Sequence, residues 1–435
     1  MSLRLGDAEI KGLLVVGFGA TGQAVCRYAV KHGASAFLSE QRVLADEERA
    51  WLDEHKIRYE DGGHTDRALA GTDAIVLSPS VPVGLPLLQR ARQRGIPVYS
   101  EIDLAVLASA ARPIVAVTGT NGKSSTVALI GSLLRFWGHR APVVGNIGYP
   151  FIDVADDSGC FNAIVVEASS YQLEQSVAFR PNVGVLLNLE PDHLARHRTM
   201  DAYAEAKGRL FRLQTPEDVA ILPGRLAERF PQGAARRVFY DDEQLALPDG
   251  AGRLRPHQRA NLRAALCACE ALLPRIDRRD VPIDRIVNDL RLPHRMEEVG
   301  LVDGVHAIDD SKATNPASTI AAIAAVDGPT ILLLGGRLKA AGYEALKEAI
   351  ATSAIRRIVL FGEAAEWLSG LLGGAPLDRV SNVEAAVRAG LEAARPGDTL
   401  LFSPACSSFD QFRDFEERGE AFARAVRARA GSSDT

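Results

Sequence analysis

Short apolar runs recur along the chain, each closed by a small or polar turn and followed by a stretch with helical spacing. Residues 13–16, 36–39, 74–77 and 97–99 have strand length and the continuous apolar character of buried strands. A second set lies at 114–117, 163–167, 183–188 and 219–222, and a third at 305–308, 330–334, 357–361 and 399–402. The spacing predicts helices from 17–22 to about residue 31, over 123–137, 201–213 and 257–273, with Pro274 stopping the last. Strands alternating with helices imply parallel sheets joined by crossover helices.

The sets fall into three segments, 1–110, 111–291 and 292–435. A chain of 435 residues exceeds one ordinary core, and about three domains are expected from its length. No repeat of solenoid period and no low-complexity tract interrupts them.

Composition changes this picture little. Hydrophobic residues at 47% and charged residues at 24% are ordinary for a globular chain. A net charge of −5 argues against nucleic acid as a partner, since phosphate backbones call for a basic excess. The short cluster Arg275, Arg278, Arg279 reads as a solvated face. The apolar runs are far shorter than the roughly 20 residues of a bilayer helix. The opening MSLRLGDAEIKG lacks the apolar core of a signal peptide, so a cytoplasmic location is expected. Five scattered cysteines fit reduced thiols, and Cys267-Ala-Cys269 reads as helix core rather than a zinc clip.

The strongest chemical signal is Thr118-Gly119-Thr120-Asn121-Gly122-Lys123-Ser124-Ser125, between a strand and a helix. Glycines let several N–H groups converge on one anion, and the helix start adds partial positive charge. Lys123 would meet the outer phosphates of a nucleotide, and Ser124 or Ser125 a Mg²⁺ ion. Val117 stands where the usual phosphate loop has its first glycine. The alternative is a tight turn with a surface lysine. Glu167 and His193 follow later strand ends, where an acid and an imidazole would hold Mg²⁺. For His193 the competing role is a cap or loop hydrogen bond. Lys207, taken alone, is a surface or salt-bridged lysine.

Gly17, Gly19 and Gly22, with Glu40 after the next strand, match a dinucleotide fingerprint. It places a phosphate or ribose at this helix start without specifying a nicotinamide. The turns 309–315 and 403–408 put small polar groups at strand ends, as a grip on a small polar substrate or as ordinary turns.

Together with Asn146-Ile147-Gly148, Glu167-x-Ser169-Ser170-x-Gln172-Leu173-Glu174, Asp192-His193, Leu292-Pro293-His294-Arg295, Asp310-Ser311-Lys312-Ala313-Thr314-Asn315 and SPACSSFDQF, the phosphate-loop string resembles the muramyl ligase family of peptidoglycan synthesis. The strings occur in the family's order over essentially the whole chain. The resemblance implies an α/β protein of three domains, each on a mostly parallel sheet: Rossmann-like, then P-loop ATPase-like, then Rossmann-like. Their implied tasks are UDP-sugar binding, ATP binding and amino-acid binding. It implies an ATP-dependent ligase acting through an acyl phosphate, and the last two strings imply D-glutamate as the amine and UDP-N-acetylmuramoyl-L-alanine as the acid.

Site roles follow from the same resemblance. Gly119, Thr120, Asn121, Gly122, Lys123, Ser124 and Ser125 would hold the ATP phosphates, and Asn261, Arg295 and Asp310 would contact the nucleotide, with Arg295 reaching across a domain boundary. Ser124, Glu167, His193 and a carbamylated Lys207 would hold Mg²⁺. Gly19, Ala20, Thr21, Glu40 and Ser78 would bind the uridine diphosphate. Asn146, Ser169, His193 and Gln172 would meet the muramoyl part, and Thr314, Lys339, Ser408, Phe409 and Phe415 the glutamate. Lys123, His193 and Lys207 form the implied catalytic set. A monomer that closes around its substrates is expected. Three positions depart from the family's pattern: Ser80 replaces a common glycine, Ala195 an aspartate, and Arg337 an acidic residue. The alternatives are a sibling ligase for another amino acid, a folate-type polyglutamate ligase, an NAD(P)-dependent oxidoreductase and a P-loop ATPase.

Overall fold

Among the described residues three larger sheets carry the molecule, beside a two-stranded antiparallel pair, Leu3–Leu5 and Ala8–Ile10, and each apolar run forms a strand in one of the three. The computed structural model describes residues 3–5, 8–110, 112–242, 245–283, 286, 293–338 and 342–430. Lys339 and Leu292 lie outside the described residues.

In the first sheet the strands run in the order Arg58–Glu60, Ser35–Ser39, Gly12–Val16, Ala74–Leu77, Val98–Ser100, all parallel. Gly12–Val16 is buried along its whole length, because helices cover both faces of such a sheet. Strand order reverses beside it, so the crevice between Gly12–Val16 and Ala74–Leu77 opens over the turns at Gly17 and Ser78. The edge strand Arg58–Glu60 was not anticipated. It is short and polar, and so lacks an apolar run.

The second sheet has six parallel strands in the order Arg236–Phe239, Val219–Leu222, Val183–Leu186, Ile114–Thr118, Ile164–Glu167, Val143–Gly145. The helix Lys123–Phe136 follows its central strand directly. The helix Pro256–Leu272 buries Cys267 and Cys269, as the core reading required. Arg278 is not a solvated residue: it pairs with Glu270 and donates to the Ala246 carbonyl at 3.1 Å.

The third sheet runs Glu297–Val302, Val305–Asp309, Thr399–Ala405, Thr330–Gly335, Ile355–Phe361, Leu377–Arg379. Its first pair is antiparallel and the other four are parallel, so the sheet is mostly parallel, as expected. Asp303 and Gly304 at φ 50° and 79° form the tight turn that joins the pair. Positive φ at both central residues is the hairpin turn that Asp-Gly favours. Apolar clusters pack on both faces, one around Leu332, Leu334 and Leu360 and the other around Leu333, Phe402 and Phe422.

The chain divides into two compact units, residues 1–188 with 203–286, and residues 189–202 with 287–435. The first two sheets belong to the first unit and the third sheet to the second. Among the described residues no helix is long and apolar enough to cross a membrane.

Candidate active site

In the first unit the turn 119–122 leaves the central strand of the second sheet and starts the helix Lys123–Phe136. Gly122 sits at φ 85°, and a Cβ there would lie 2.7 Å from Asn261 Oδ1. Only glycine meets both conditions. Asn188, beyond the neighbouring strand, braces the turn. Its carbonyl accepts from Thr120 N at 3.2 Å, its Oδ1 accepts from Asn121 N at 2.8 Å, and its Nδ2 donates to Asn121 O at 3.1 Å. Tyr203 supports the same turn, 3.3 Å from Thr120 Oγ1, and Tyr240 donates to the Leu187 carbonyl. None of these three braces was singled out from sequence. Asn188 was visible only as a polar residue ending a strand, and the tyrosines as helix and loop residues far along the chain.

Lys123 folds back over the turn, its Nζ donating to Gly119 O at 2.9 Å and Thr120 O at 2.8 Å. Lys207 is not a surface lysine. It is 1% exposed, its Nζ donates to Gly119 O at 2.8 Å, and it lies 4.4 Å from the centre of the Tyr203 ring. Two ammonium groups therefore converge on one carbonyl of the phosphate-loop turn.

Glu167 closes the strand paired in register with the one entering the turn, Glu167 opposite Val117. Its carboxylate is 2% exposed; Oε1 accepts from Asn146 Nδ2 at 2.8 Å, and Oε2 has no hydrogen-bond partner among the described residues. A buried carboxylate oxygen left without a donor costs free energy that a cation would recover. The residues thus fit a hard divalent ion with oxygen ligands. Ser124 is buried at the start of the helix. Ser169 and Gln172 are engaged with each other as a capping box, Gln172 Oε1 accepting from Ser169 N and Oγ at 2.9 Å.

The first sheet carries the other glycine turn. Gly17 is at φ 98°, and a Cβ on Gly22 would lie 2.1 Å from Gly17 O. Glu40 Oε2 accepts from Phe18 N at 2.6 Å, and Ser78 Oγ donates to Gly17 O at 2.9 Å. Gly19 precedes the helix Ala20–Lys31 without a side-chain cap, and Gln23 N to Gly19 O is its first helical bond. The N–H groups of Ala20 and Thr21 thus have no intrahelical acceptor, as an anion site requires.

In the second unit the strings around 192, 294, 310 and 406 meet. Asp192 Oδ1 accepts from His193 N at 2.7 Å, and its Oδ2 accepts from Asn315 Nδ2 at 3.0 Å. His193 opens a short helix at φ 55°, a strained conformation for a residue with a side chain. His294 lies 2.7 Å from Asp309 Oδ2, a contact that raises its pKa. Burial pushes the Asp310 carboxyl up to about 7, against the pull of the Ser403 hydroxyl and the Arg295 charge. Lys312 lies 5.0 Å from the centre of the Phe415 ring, Ser408 is buried, and Phe409 is exposed. Thr314 stands beside Ala313 in the same turn, its N–H on Lys312 O at 2.9 Å. Arg418 is wholly buried, donating to Ser311 Oγ at 3.1 Å, Ser311 O at 2.8 Å and Cys406 O at 3.0 Å. Burial lowers it to about 10. Lys312 and Arg418 are further cations of this unit that the sequence did not single out.

Residues 12–84 match the MurD N-terminal domain, 117–245 the Mur ligase middle domain and 294–406 the Mur ligase glutamate ligase domain. A UDP-N-acetylmuramoylalanine–D-glutamate ligase from Syntrophotalea carbinolica is 37% identical over 97% of this chain and 98% of its own. One of the same name from Salinibacter ruber is 38% identical over 95% of this chain and 96% of its own. The solved MurF ligase of Thermotoga maritima in complex with ADP shares the fold, with a TM-score of 0.58 at 17% identity over 91% of this chain and 96% of its own. From end to end, then, this chain belongs to the Mur ligase family.

Proposed function

We propose that this chain joins D-glutamate to the alanyl carboxylate of UDP-N-acetylmuramoyl-L-alanine, with ATP cleaved to ADP and phosphate. The observation that carries the reading is the full-length match to ligases of that name, through all three domains. The geometry of the first unit supports the chemistry. A carboxylate is a poor electrophile, so it is first phosphorylated: a carboxylate oxygen attacks the γ-phosphorus, and the bond to ADP breaks. The glutamate amine then attacks the acyl carbon, loses its proton, and phosphate leaves with the bonding pair.

Charge builds on the transferring phosphoryl group, and Lys123 stands at the turn that would cradle it. The N–H groups of 119–124 orient the nucleotide, with Asn188 holding the turn in shape. Glu167, through its unpartnered oxygen, and Ser124 would hold Mg²⁺, which when bound neutralises charge on the phosphates. Lys207, whose Nζ donates to Gly119 O, is the lysine to which the resemblance assigns carbamylation; a carbamate there would turn this donor into an anionic ligand. The roles that the resemblance gives to His193, Arg295 and Asp310, and to Thr314, Lys339, Ser408, Phe409 and Phe415 as the glutamate contacts, belong to the same proposal. An oxidoreductase would leave the phosphate loop without a task.

Phosphate release with UDP-N-acetylmuramoyl-L-alanine, ATP and a panel of D- and L-amino acids tests the reading. Turnover with D-glutamate well above the others is expected. Release that ignores the amino acid would make the chain a plain ATPase.

A further inference from the structure

The first and second sheets of the first unit are joined by a reciprocal clamp. The short helix Ser170–Gln175 follows the strand ending in Glu167. At its last residue, Gln175 Nε2 reaches into the first sheet's turn, 2.9 Å from Val81 O, 3.3 Å from Ser78 O and 3.4 Å from Pro79 O. In return Asp103, on a helix of the first segment, accepts from Ser176 Oγ at 2.7 Å, Ala178 N at 2.8 Å and Val177 N at 3.0 Å. Gln175 and Asp103 are both buried. Gln175 Oε1 has no partner among the described residues, so toward them the amide serves as a donor.

The clamped turn bears on the nucleotide end of the site. Ser78 Oγ donates to Gly17 O, and a Cβ on Gly17 would strike the Ser78 side chain at 2.8 Å. Moving 78–81 therefore moves the wall of the first glycine turn.

We propose that Gln175 is a positioning residue for the nucleotide-sugar substrate: it holds the 78–81 turn against the strand end that carries Glu167. Resting on the ligase reading above, this sets the distance between the anchored uridine diphosphate and the phosphorylated carboxylate. A ligase that grips its acid at one end and activates it at the other needs that distance fixed, because misplacement of about 1 Å costs rate steeply.

The test compares the full-length protein with Gln175→Leu, which keeps the volume and removes the donor, and Gln175→Glu, which turns an acceptor toward three carbonyls. Gln175→Met serves if either variant lowers the melting temperature. Titration with UDP and steady-state kinetics are the readouts. For Gln175→Leu the Kd for UDP and the KM for UDP-N-acetylmuramoyl-L-alanine should rise about fivefold or more, with KM for ATP and glutamate within about twofold of wild type. Gln175→Glu should show the larger rise. Unchanged UDP affinity in a folded Gln175→Leu protein overturns the positioning role, and so does a parallel rise in all three KM values. A wild-type protein that makes no ADP in response to the nucleotide-sugar acid overturns the ligase reading itself, an outcome separate from either.

Discussion

Two glycine turns in the first unit start from the same backbone design and end in different chemistry. Each follows a buried strand, begins a helix and is braced by the end of a neighbouring strand: Gly17 N donates to Ser39 O, and Thr120 N to Asn188 O. Each has a glycine at positive φ, Gly17 at 98° and Gly122 at 85°. They differ in what side chains bring to them. The turn at 119–122 receives Lys123, the buried Lys207 and, on the adjacent strand, a carboxylate with one unpartnered oxygen. At 17–22 the neighbouring carboxylate, Glu40, is already occupied by the Phe18 N–H, and the first basic residue of the helix is Arg27. Backbone N–H groups alone can grip an anion; stabilising a phosphoryl group in transit takes added cations. The turn at 17–22 suits holding a diphosphate, and the turn at 119–122 suits transfer.

The largest effect should come from removing the cation that defines the contrast. Lys123→Ala should lower kcat about 10³-fold, because developing phosphate charge loses its positive partner. An ADP-release assay reads this, and UDP affinity at the other turn should stay as in wild type. Turnover near normal would erase the difference between the turns.

Lys207→Ala should lower kcat about 10²-fold, the scale of losing a group that shapes a metal site. Acetate or another short carboxylic acid should restore part of the rate by filling the gap with an anionic oxygen. Full activity without the lysine and without added acid would reduce Lys207 to a buried brace of Gly119.

This contrast was only half legible in the sequence. Apolar runs marked the central strands, because strands covered on both faces must be apolar throughout. Edge strands such as Arg58–Glu60 and Leu377–Arg379 are short and polar, and left no such mark. The glycines and Lys123 could be read because chain-local geometry dictates them. The Asn188 brace, the burial of Lys207 and the open oxygen of Glu167 arise from strand pairing and from a helix far along the chain. No local pattern encodes them, and only the family resemblance pointed to Lys207. The Asp-Gly hairpin at 303–304 was a readable signal that the parallel pattern obscured.

At the other turn, Glu40→Ala leaves the Phe18 N–H without its acceptor. The Kd for UDP should rise about tenfold, or about 1.4 kcal/mol, the scale of one charge-assisted hydrogen bond. At saturating substrate kcat should change little, since the cations at 119–124 are untouched. A fall in kcat with unchanged UDP affinity would reverse the assignment of the two turns.

The smallest effect concerns the seam that keeps both turns in one unit. Glu101 is buried; its Oε1 accepts from Ile152 N at 2.7 Å, and its Oε2 has no hydrogen-bond partner among the described residues. Burial pushes its carboxyl up from 4.5 to about 7, with the Ile152 and Phe151 N–H groups pulling down and the Asp153 and Asp103 charges adding to the rise. Above about pH 4.5 the unfolded chain releases this proton while the folded chain keeps it, so stability falls as pH rises, until the folded group ionises near 7. Glu101→Gln cannot ionise. Its melting temperature relative to wild type should therefore climb between about pH 5 and 7 and level off above, while the pH dependence of the wild type over that window flattens in the variant. An offset that stays constant across the window would mean that Glu101 ionises as easily in the folded chain as in the unfolded one, and that the seam between the two turns holds without a neutral carboxyl at its centre.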